Sequence, residues 1–206
     1  MFKQVLHAVR VLDLAPGWSA YAGRLLGDLG AEVIKIEASS GDPLRGAPDF
    51  ERLNANKYGC MLDVSTGDGR DVLRRLAATA DVVIAPPGSI DADSLRDGRP
   101  GLIIVSLPGD ATVEQAISAA AGVGVALWDR RRTGEGSTIE VTHSDSKKRR
   151  TIPAGAPLTE TVSALVGDLQ IESCPWHLSE CATHIRLHAP ALREHNEYIF
   201  GELLGS

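Results

Sequence analysis

Apolar runs and helically spaced apolar residues alternate along the first part of the chain. Val9–Leu14 is an apolar, β-prone run that ends at a Pro-Gly turn signal. After Ser19, which we expect to cap a helix, apolar residues recur at helical spacing as far as Gly30, a helix stop. Glu32–Glu37 is again apolar and β-prone. This stretch therefore predicts a strand–helix–strand unit.

The same alternation continues as far as Thr142, interrupted only by a polar, Pro/Gly-rich loop over residues 38–52. Strands are predicted over Lys57–Val64, Asp81–Ala85, Gly101–Leu107 and Ser137–Thr142, and helices over Gly67–Ala80 and Thr112–Arg131. Strands that alternate with helices favour a parallel sheet that is covered on both faces. We therefore predict an α/β fold: one compact, Rossmann-like domain with a mostly parallel sheet and helices on both faces.

The pattern breaks after residue 142. His143–Arg150 contains no apolar residue and is typical of an exposed linker. Beyond it, Leu158–Gly167 is predicted as one helix and Leu192–Leu204 as a final amphipathic helix. We therefore divide the chain into a Rossmann-like core (1–142), a linker (143–157) and a C-terminal segment (158–206) that packs back on the core.

Composition and charge narrow the function classes. The net charge of −6 argues against nucleic acid or an anionic membrane as the main partner. Three cysteines are too few and too scattered for a secreted disulfide framework. No apolar run reaches transmembrane length and the N-terminal residues do not form a signal peptide. We therefore expect a cytoplasmic protein.

Seven sequence blocks occur in a characteristic order: LLGDLGAEVIKIE, GDPLR, NANKYGCMLDVSTGDGRDVLRRLAATADVVI, GLIIVSLPG, ALWDRRRTGEGSTIEV, PWHLSE and APALREHNEYIFGELLG. In this order they resemble the family III CoA-transferases, which move CoA between an acyl-CoA and a carboxylate. The resemblance implies the large domain of that family. Members carry a small second domain between the strand that resembles STIEV and the segment that resembles PWHLSE, where this chain has only 143–157.

The resemblance also implies a nucleophilic aspartate at the start of the helix before ALWDRRRTG. In the family, this carboxylate attacks the thioester and forms a mixed anhydride, which the CoA thiolate then opens. Counting back from Thr133 places Thr112 at that position, and Asp110 is the alternative candidate. Asp110 also has a simpler interpretation, a carboxylate stabilised by the helix N-terminus. We expect the isolated chain to be catalytically impaired, and the sequence leaves open whether it is an enzyme.

No covalently bound cofactor is expected, and CoA or acyl-CoA is the ligand that the resemblance implies. Six residues lie where α/β proteins bind ligands, in the first strand–helix turn and at the exit of the second strand: Gly17, Trp18, Ser19, Lys35, Glu37 and Arg45. Trp18 can stack on an adenine or simply cover the sheet, and we favour the second.

The spacing C-x2-H-x3-C-x2-H, from Cys174 to His184, raises the alternative of a zinc site. The family shows similar sequence here without a metal, and the Pro-Trp pair suits irregular packing. We therefore predict no metal.

Two functions from different classes remain. One is CoA transfer between an acyl-CoA and a carboxylate, as the resemblance implies. The other is a noncatalytic role, either in binding CoA or as a structural partner. Family members form intertwined dimers, so the partner expected is a second copy in a homodimer or a full-length homologue in a hetero-oligomer.

Overall fold

The computed structural model describes residues 4–141, 159–164, 167–172 and 184–205. Six parallel strands form one sheet in the order β3-β2-β1-β4-β5-β6. Their bounds are Arg10–Asp13 (β1), Glu32–Glu37 (β2), Lys57–Met61 (β3), Val82–Ala85 (β4), Ile103–Ser106 (β5) and Thr138–Glu140 (β6). The predicted Rossmann-like parallel sheet is confirmed.

The strand order reverses beside β1. Leu12 of β1 is in register with Ile34 of β2 on one side and with Val83 of β4 on the other. In open α/β sheets, ligands bind outside the carboxyl ends of the strands near such a reversal. The loops that follow β1, β2, β3, β4 and β5 are therefore where a functional site is expected.

Five α-helices cover both faces of this sheet. They are Tyr21–Asp28 (α1), Pro48–Asn54 (α2), Gly67–Thr79 (α3), Ala92–Asp97 (α4) and Val113–Thr133 (α5), and a 3-10 turn, Gly17–Ala20, precedes α1. Helices α1 and α5 share one apolar core with the sheet. Helices α3 and α4 and the C-terminal segment share the core on the opposite face. Helix α5 packs on the core that it shares with α1 through Ala116, Ala120, Val123 and Leu127, all of them buried.

Two predictions of secondary structure were wrong. The helix predicted over Leu158–Gly167 is instead an antiparallel hairpin of Thr159–Ala164 (β7) and Gly167–Glu172 (β8). Its threonine and valine residues favour strands, and a short apolar run does not separate the two periods. The loop predicted over 38–52 contains the start of α2, where Pro48 occupies the first helical turn and Asp49 and Glu51 follow at the positive end of the helix dipole.

The C-terminal residues 184–205 run along β3, the strand at one edge of the sheet, on the side where β3 has no neighbouring strand among those described. The Gly59 amide donates to His195 Nδ1 at 3.0 Å, and the His195 amide donates back to the Gly59 carbonyl at 2.9 Å. The Met61 amide donates to Asn196 Oδ1 at 2.9 Å. Edge strands left open are templates for aggregation, so this segment protects β3.

The final helix begins later than predicted. Within the predicted Leu192–Leu204, the structure has turns followed by a π-helix over Glu197–Leu203, which buries Ile199 against α3 and the sheet. The predicted linker lies outside the described residues, as do all of the cysteine–histidine motif except His184. Among the described residues, no helix is both long enough and apolar enough to cross a membrane.

Candidate functional site

Charged side chains are buried at the carboxyl ends of β1 and β2. Asp13 ends β1, and its carboxylate accepts a hydrogen bond from the buried ammonium group of Lys57 at 2.7 Å. The other two Lys57 protons go to the Ala20 carbonyl at 2.7 Å and to Asn54 Oδ1 at 2.9 Å. Burial lowers the pKa of Lys57 to about 8, although Asp13 opposes that shift. Every Lys57 proton is therefore used inside the fold.

A second buried ion pair holds the loop after β1. Lys35 Nζ donates to Asp42 Oδ2 at 2.8 Å and to the Ala15 carbonyl at 2.7 Å. The same Asp42 oxygen accepts the Gly17 amide at 2.9 Å. Burial raises the pKa of Asp42, but the Lys35 charge and the donated hydrogen bonds outweigh it and hold the pKa below its usual value. Gly17 and Lys35 are thus brought together through Asp42.

Glu37 and Arg45 form a third pair beside the second. Arg45 Nε and Nη2 donate to the two carboxylate oxygens of Glu37 at 2.9 and 2.5 Å. The Arg45 guanidinium also lies over the Phe50 ring, 4.4 Å from its centroid, and donates to the Pro190 carbonyl. The predicted residues Lys35, Glu37 and Arg45 do lie together. Glu37 and Arg45 mainly satisfy each other, and Lys35 is satisfied by Asp42 and the Ala15 carbonyl.

Ser19 has a different role from the one predicted. It does not cap α1, whose N-cap is Ala20 without a side-chain hydrogen bond. Instead, its hydroxyl donates to the Pro108 carbonyl at 2.5 Å and accepts the Ala111 amide at 3.2 Å. The loop after β1 is therefore tied to the loop after β5. Trp18 is half-buried and packs against the apolar core of this face.

Thr112 is the N-cap of α5. Its hydroxyl accepts the Gln115 amide at 3.2 Å, and the Gln115 side chain accepts the Thr112 amide at 2.8 Å, a complete capping box. Thr112 is buried, while Asp110 is exposed two residues earlier. The residue at the expected nucleophile position is therefore engaged in starting the helix.

An open cavity of about 470 Å³ lies between the N-terminal ends of α3 and α4. These ends follow the carboxyl ends of β3 and β4 and are capped by Thr66 and Asp91, which accept the Gly69 and Ser94 amides. The apolar lining is Val64, Leu73, Ile90 and Leu95, and the polar lining is Ser65, Arg70, Arg74, Gly88, Ser89, Asp91 and Ser94.

Two arginines, Arg70 and Arg74, and one carboxylate, Asp91, are the charged groups of this cavity. Both arginines are exposed; Arg70 donates to the Ser65 carbonyl at 2.6 Å, and Arg74 pairs with Asp71. The sequence-based prediction missed this cavity. The sequence does contain a signal for such a site: each of two strands is followed by a residue that can cap a helix, Thr66 and Asp91. Helix N-termini favour anions, so two of them side by side indicate an anion site.

No group of three or more potential metal ligands occurs in the part of the chain that the structure describes. The cavity is lined by arginine, hydroxyl and apolar groups, with one carboxylate, that of Asp91. Such a lining suits an organic anion.

The sequence profile of CoA-transferase family III matches residues 6–110. The chain belongs to this family. The matched region runs from the residues before β1 to Asp110, so it contains the buried ion pairs and the cavity between α3 and α4.

Similar curated proteins carry CoA-transferase names. A formyl-CoA:oxalate CoA-transferase of Streptomyces avermitilis is 35% identical in an alignment of 123 positions that covers 52% of this chain and 30% of that protein. The succinyl-CoA:(R)-benzylsuccinate CoA-transferase subunit BbsE of Thauera aromatica is 28% identical, with 64% of this chain and 47% of that protein aligned. The matched region is thus less than half of either relative.

Solved structures share the fold. Rv3272 from Mycobacterium tuberculosis superimposes with a TM-score of 0.63 at 28% identity, over 69% of this chain and 54% of that one. A CAIB/BAIF family protein from Brucella suis gives a TM-score of 0.72 over 97% of this chain and 99% of that one, at 18% identity. At that identity, the second comparison supports the fold alone.

Proposed function

We propose that this chain binds CoA or an acyl-CoA in the cavity between α3 and α4, and that alone it does not transfer CoA between carboxylates. The cavity is the observation that carries the binding proposal. Its apolar lining residues suit a purine ring, and Arg70 and Arg74 suit the phosphates, because guanidinium groups bind phosphate oxygens through charge-assisted hydrogen bonds.

Family membership supports CoA as the ligand rather than another nucleotide. The similar proteins named above carry the names of CoA-transferases, and the matched residues 6–110 include all the cavity-lining residues. The buried pairs Lys35–Asp42 and Glu37–Arg45 fix the neighbouring loops after β1 and β2. In this proposal, Gly17, Trp18 and Ser19 shape the loop after β1 and contribute backbone contacts at most.

The start of α5 supports the absence of turnover. A hydroxyl needs an adjacent base to become a nucleophile. The Thr112 hydroxyl instead accepts the Gln115 amide, and the segment from Pro108 to Gln115 contains no histidine. Asp110, the alternative candidate, is an exposed carboxylate two residues before the cap.

Isothermal titration with CoA tests the binding proposal. We expect saturable heat from the unmodified chain, and an affinity about tenfold lower after Arg70→Ala or Arg74→Ala, the loss of roughly one charge-assisted phosphate contact. Arg131→Ala, at an exposed arginine near the far end of α5, is the matched control and should leave the affinity unchanged. Equal affinities in all four proteins would refute the assignment to this cavity.

A transfer assay tests the second half of the proposal. We expect no CoA exchange between formyl-CoA and oxalate, or between succinyl-CoA and benzylsuccinate, the substrates named for two relatives. Turnover that Asp110→Ala abolishes would contradict it and would place the nucleophile at Asp110.

A role as a subunit is the second candidate function. One similar protein is itself named a CoA-transferase subunit. Mixing the chain with a full-length family III transferase from the same organism tests this role: co-sedimentation together with a changed transfer rate supports it. Independent sedimentation and an unchanged rate count against it.

A further inference from the structure

A second open cleft, of about 380 Å³, lies at the opposite end of the strands from the cavity between α3 and α4. It is formed where β4, β5 and β6 begin, whereas the cavity lies where β3 and β4 end. Among the described residues, its lining is three glycines, one proline and two arginines: Gly98, Arg99, Pro100, Gly101, Arg130 and Gly134. This surface, here called the arginine cleft, therefore has a lining whose charged groups are both cations.

Asp81 holds the two guanidinium groups side by side. Arg99 Nη2 donates to Asp81 Oδ1 at 2.9 Å, and Arg130 Nη1 lies 3.0 Å from the same oxygen. The second carboxylate oxygen of Asp81 accepts the Arg10 amide at 2.9 Å. The Asp81 backbone is fixed as well, because its amide donates to the Arg10 carbonyl and its carbonyl accepts the Ile103 amide. The carboxylate that orients both arginines is therefore held in place just before β4.

Both arginines keep hydrogen-bond donors for a ligand. Arg99 Nε donates to the Ala80 carbonyl at 2.6 Å, and Arg130 Nη1 donates to the Gly101 carbonyl at 3.3 Å. Within the described part of the chain, Arg99 Nη1 and Arg130 Nη2 have no hydrogen-bond partner. The two side chains are 38% and 21% exposed. Two partly buried guanidinium groups thus offer donors beyond those that the fold uses.

The charge of the arginine cleft favours an anion. Two arginines against one carboxylate leave one net positive charge, although the whole chain has a net charge of −6. Helix α5 ends beside the cleft with about half a negative charge, and Arg131 and Arg132 in the same last turn offset it. Asp97 and Glu135, which flank lining glycines in sequence, line a neighbouring cavity together with Arg96. The cleft therefore keeps its positive charge.

The glycines leave the cleft open as far as the backbone. Gly134 is the C-cap of α5 with a φ of +79°, a conformation that favours glycine. A Cβ at Gly101 would come within 3.3 Å of the Gly134 carbonyl oxygen, so the two backbone segments approach closely. A small ligand can thus reach the two arginines without meeting a side chain from these positions.

We propose that the arginine cleft binds an oxyanion, the carboxylate or phosphate group of a small molecule, which bridges the Arg99 and Arg130 guanidinium groups. Guanidinium groups recognise carboxylates and phosphates because their donors match two oxygens at once. The cleft and the cavity between α3 and α4 lie at opposite ends of the strands, so both can be occupied together. The proposal therefore goes beyond CoA binding, and its test is independent of CoA.

Titration of the full, nitrogen-15-labelled chain with inorganic phosphate, and separately with acetate, tests the cleft by NMR. We expect saturable shifts of the Gly98, Gly101 and Gly134 amide signals, with a dissociation constant on the order of 1 mM. The anion that binds more tightly identifies the group as a phosphate or a carboxylate. Saturation with neither anion, or equal shifts with chloride at the same ionic strength, would overturn the proposal.

Removal of either arginine charge should weaken this binding. We expect an affinity about tenfold lower in Arg99→Gln and in Arg130→Gln, the loss of roughly one charge-assisted contact. Each variant leaves Asp81 paired with the other arginine, so the fold is kept. Arg131→Gln, next to the cleft in sequence but outside its lining, is the matched control and should bind normally. Arg70→Ala, in the cavity between α3 and α4, should also leave these shifts unchanged.

Gly98 allows a test that keeps both arginines in place. Its φ of −86° suits any residue, and a Cβ there would lie 3.9 Å from the Ala78 Cβ, an ordinary contact. Gly98→Glu brings a carboxylate to the cleft and should weaken oxyanion binding about tenfold or more, whereas Gly98→Lys should not weaken it. Unchanged affinity in both arginine variants, or equal affinity of Gly98→Glu and Gly98→Lys, would overturn the proposal.

Discussion

Removing the Lys57 ammonium group should destabilise the fold strongly. Lys57→Met keeps the length of the side chain but leaves the buried Asp13 carboxylate without its counterion. The Ala20 carbonyl and the Asn54 side chain also each lose a donor. Breaking a buried ion pair from one side costs about 3–5 kcal/mol, a large part of the roughly 5–15 kcal/mol that stabilises a typical domain.

Urea denaturation, followed by circular dichroism, measures this loss. With a denaturant slope of about 2 kcal/mol per molar, a cost of about 3–5 kcal/mol lowers the midpoint by roughly 1.5–2.5 M. Asp13→Asn in the Lys57→Met background removes the stranded charge while keeping the shape. We expect the double variant to be more stable than Lys57→Met alone. If Lys57→Met alone lowers the free energy of unfolding by less than about 1 kcal/mol, the reasoning is refuted.

The pH dependence of stability provides a second signature of the same pair. Burial lowers the pKa of Lys57 to about 8, whereas the unfolded chain titrates at the ordinary value of 10.5. Between these values the unfolded state binds more protons, so the free energy of unfolding rises with pH from about 8 to 10.5. The gap corresponds to roughly 3 kcal/mol, and Lys57→Met should remove that rise.

Three further predictions concern single positions. Gly23→Ala should lower the free energy of unfolding by about 1–3 kcal/mol, since the added Cβ would lie 2.5 Å from the Asp13 carboxylate. Gly124→Ala, with open space around it, should stabilise α5 slightly, and thermal unfolding of the two variants compares them. The Gly59 amide donates to His195 Nδ1, and protonation of this ring nitrogen removes the acceptor. Burial lowers the pKa of His195, so protection of the Gly59 amide from hydrogen exchange should fall as the pH drops below about 6.5. His195→Asn should make this protection independent of pH. Thr112→Ala should cost about 1 kcal/mol by chemical denaturation, whereas Thr112→Asp, also a good N-cap, should keep stability without producing CoA transfer.

Local patterns predicted much of the core from sequence. Glu32–Glu37 has the predicted bounds, and α3 begins at the predicted Gly67, because a buried strand or an amphipathic helix carries its period within a few residues. The hairpin β7–β8 was mispredicted because its short run of threonine, valine and alanine fits both periods. The bounds of the last helix depend on where the chain turns away from β3, which no local pattern records.

The site was less predictable because its partners are distant in sequence. Lys35, Glu37 and Arg45 were correctly expected at one sheet edge, since strand exits converge there. Their actual partners include Asp42 and the Pro190 carbonyl, and the second is 145 residues from Arg45. The role of Ser19 likewise depends on Pro108, which only the folded sheet brings near.

Titration of the purified chain with CoA tests the central claim most directly. We expect saturable heat, with an affinity that weakens about tenfold when Arg70 is replaced by alanine and stays unchanged when Arg131 is replaced. The absence of saturable heat with the unmodified, folded chain would contradict the claim.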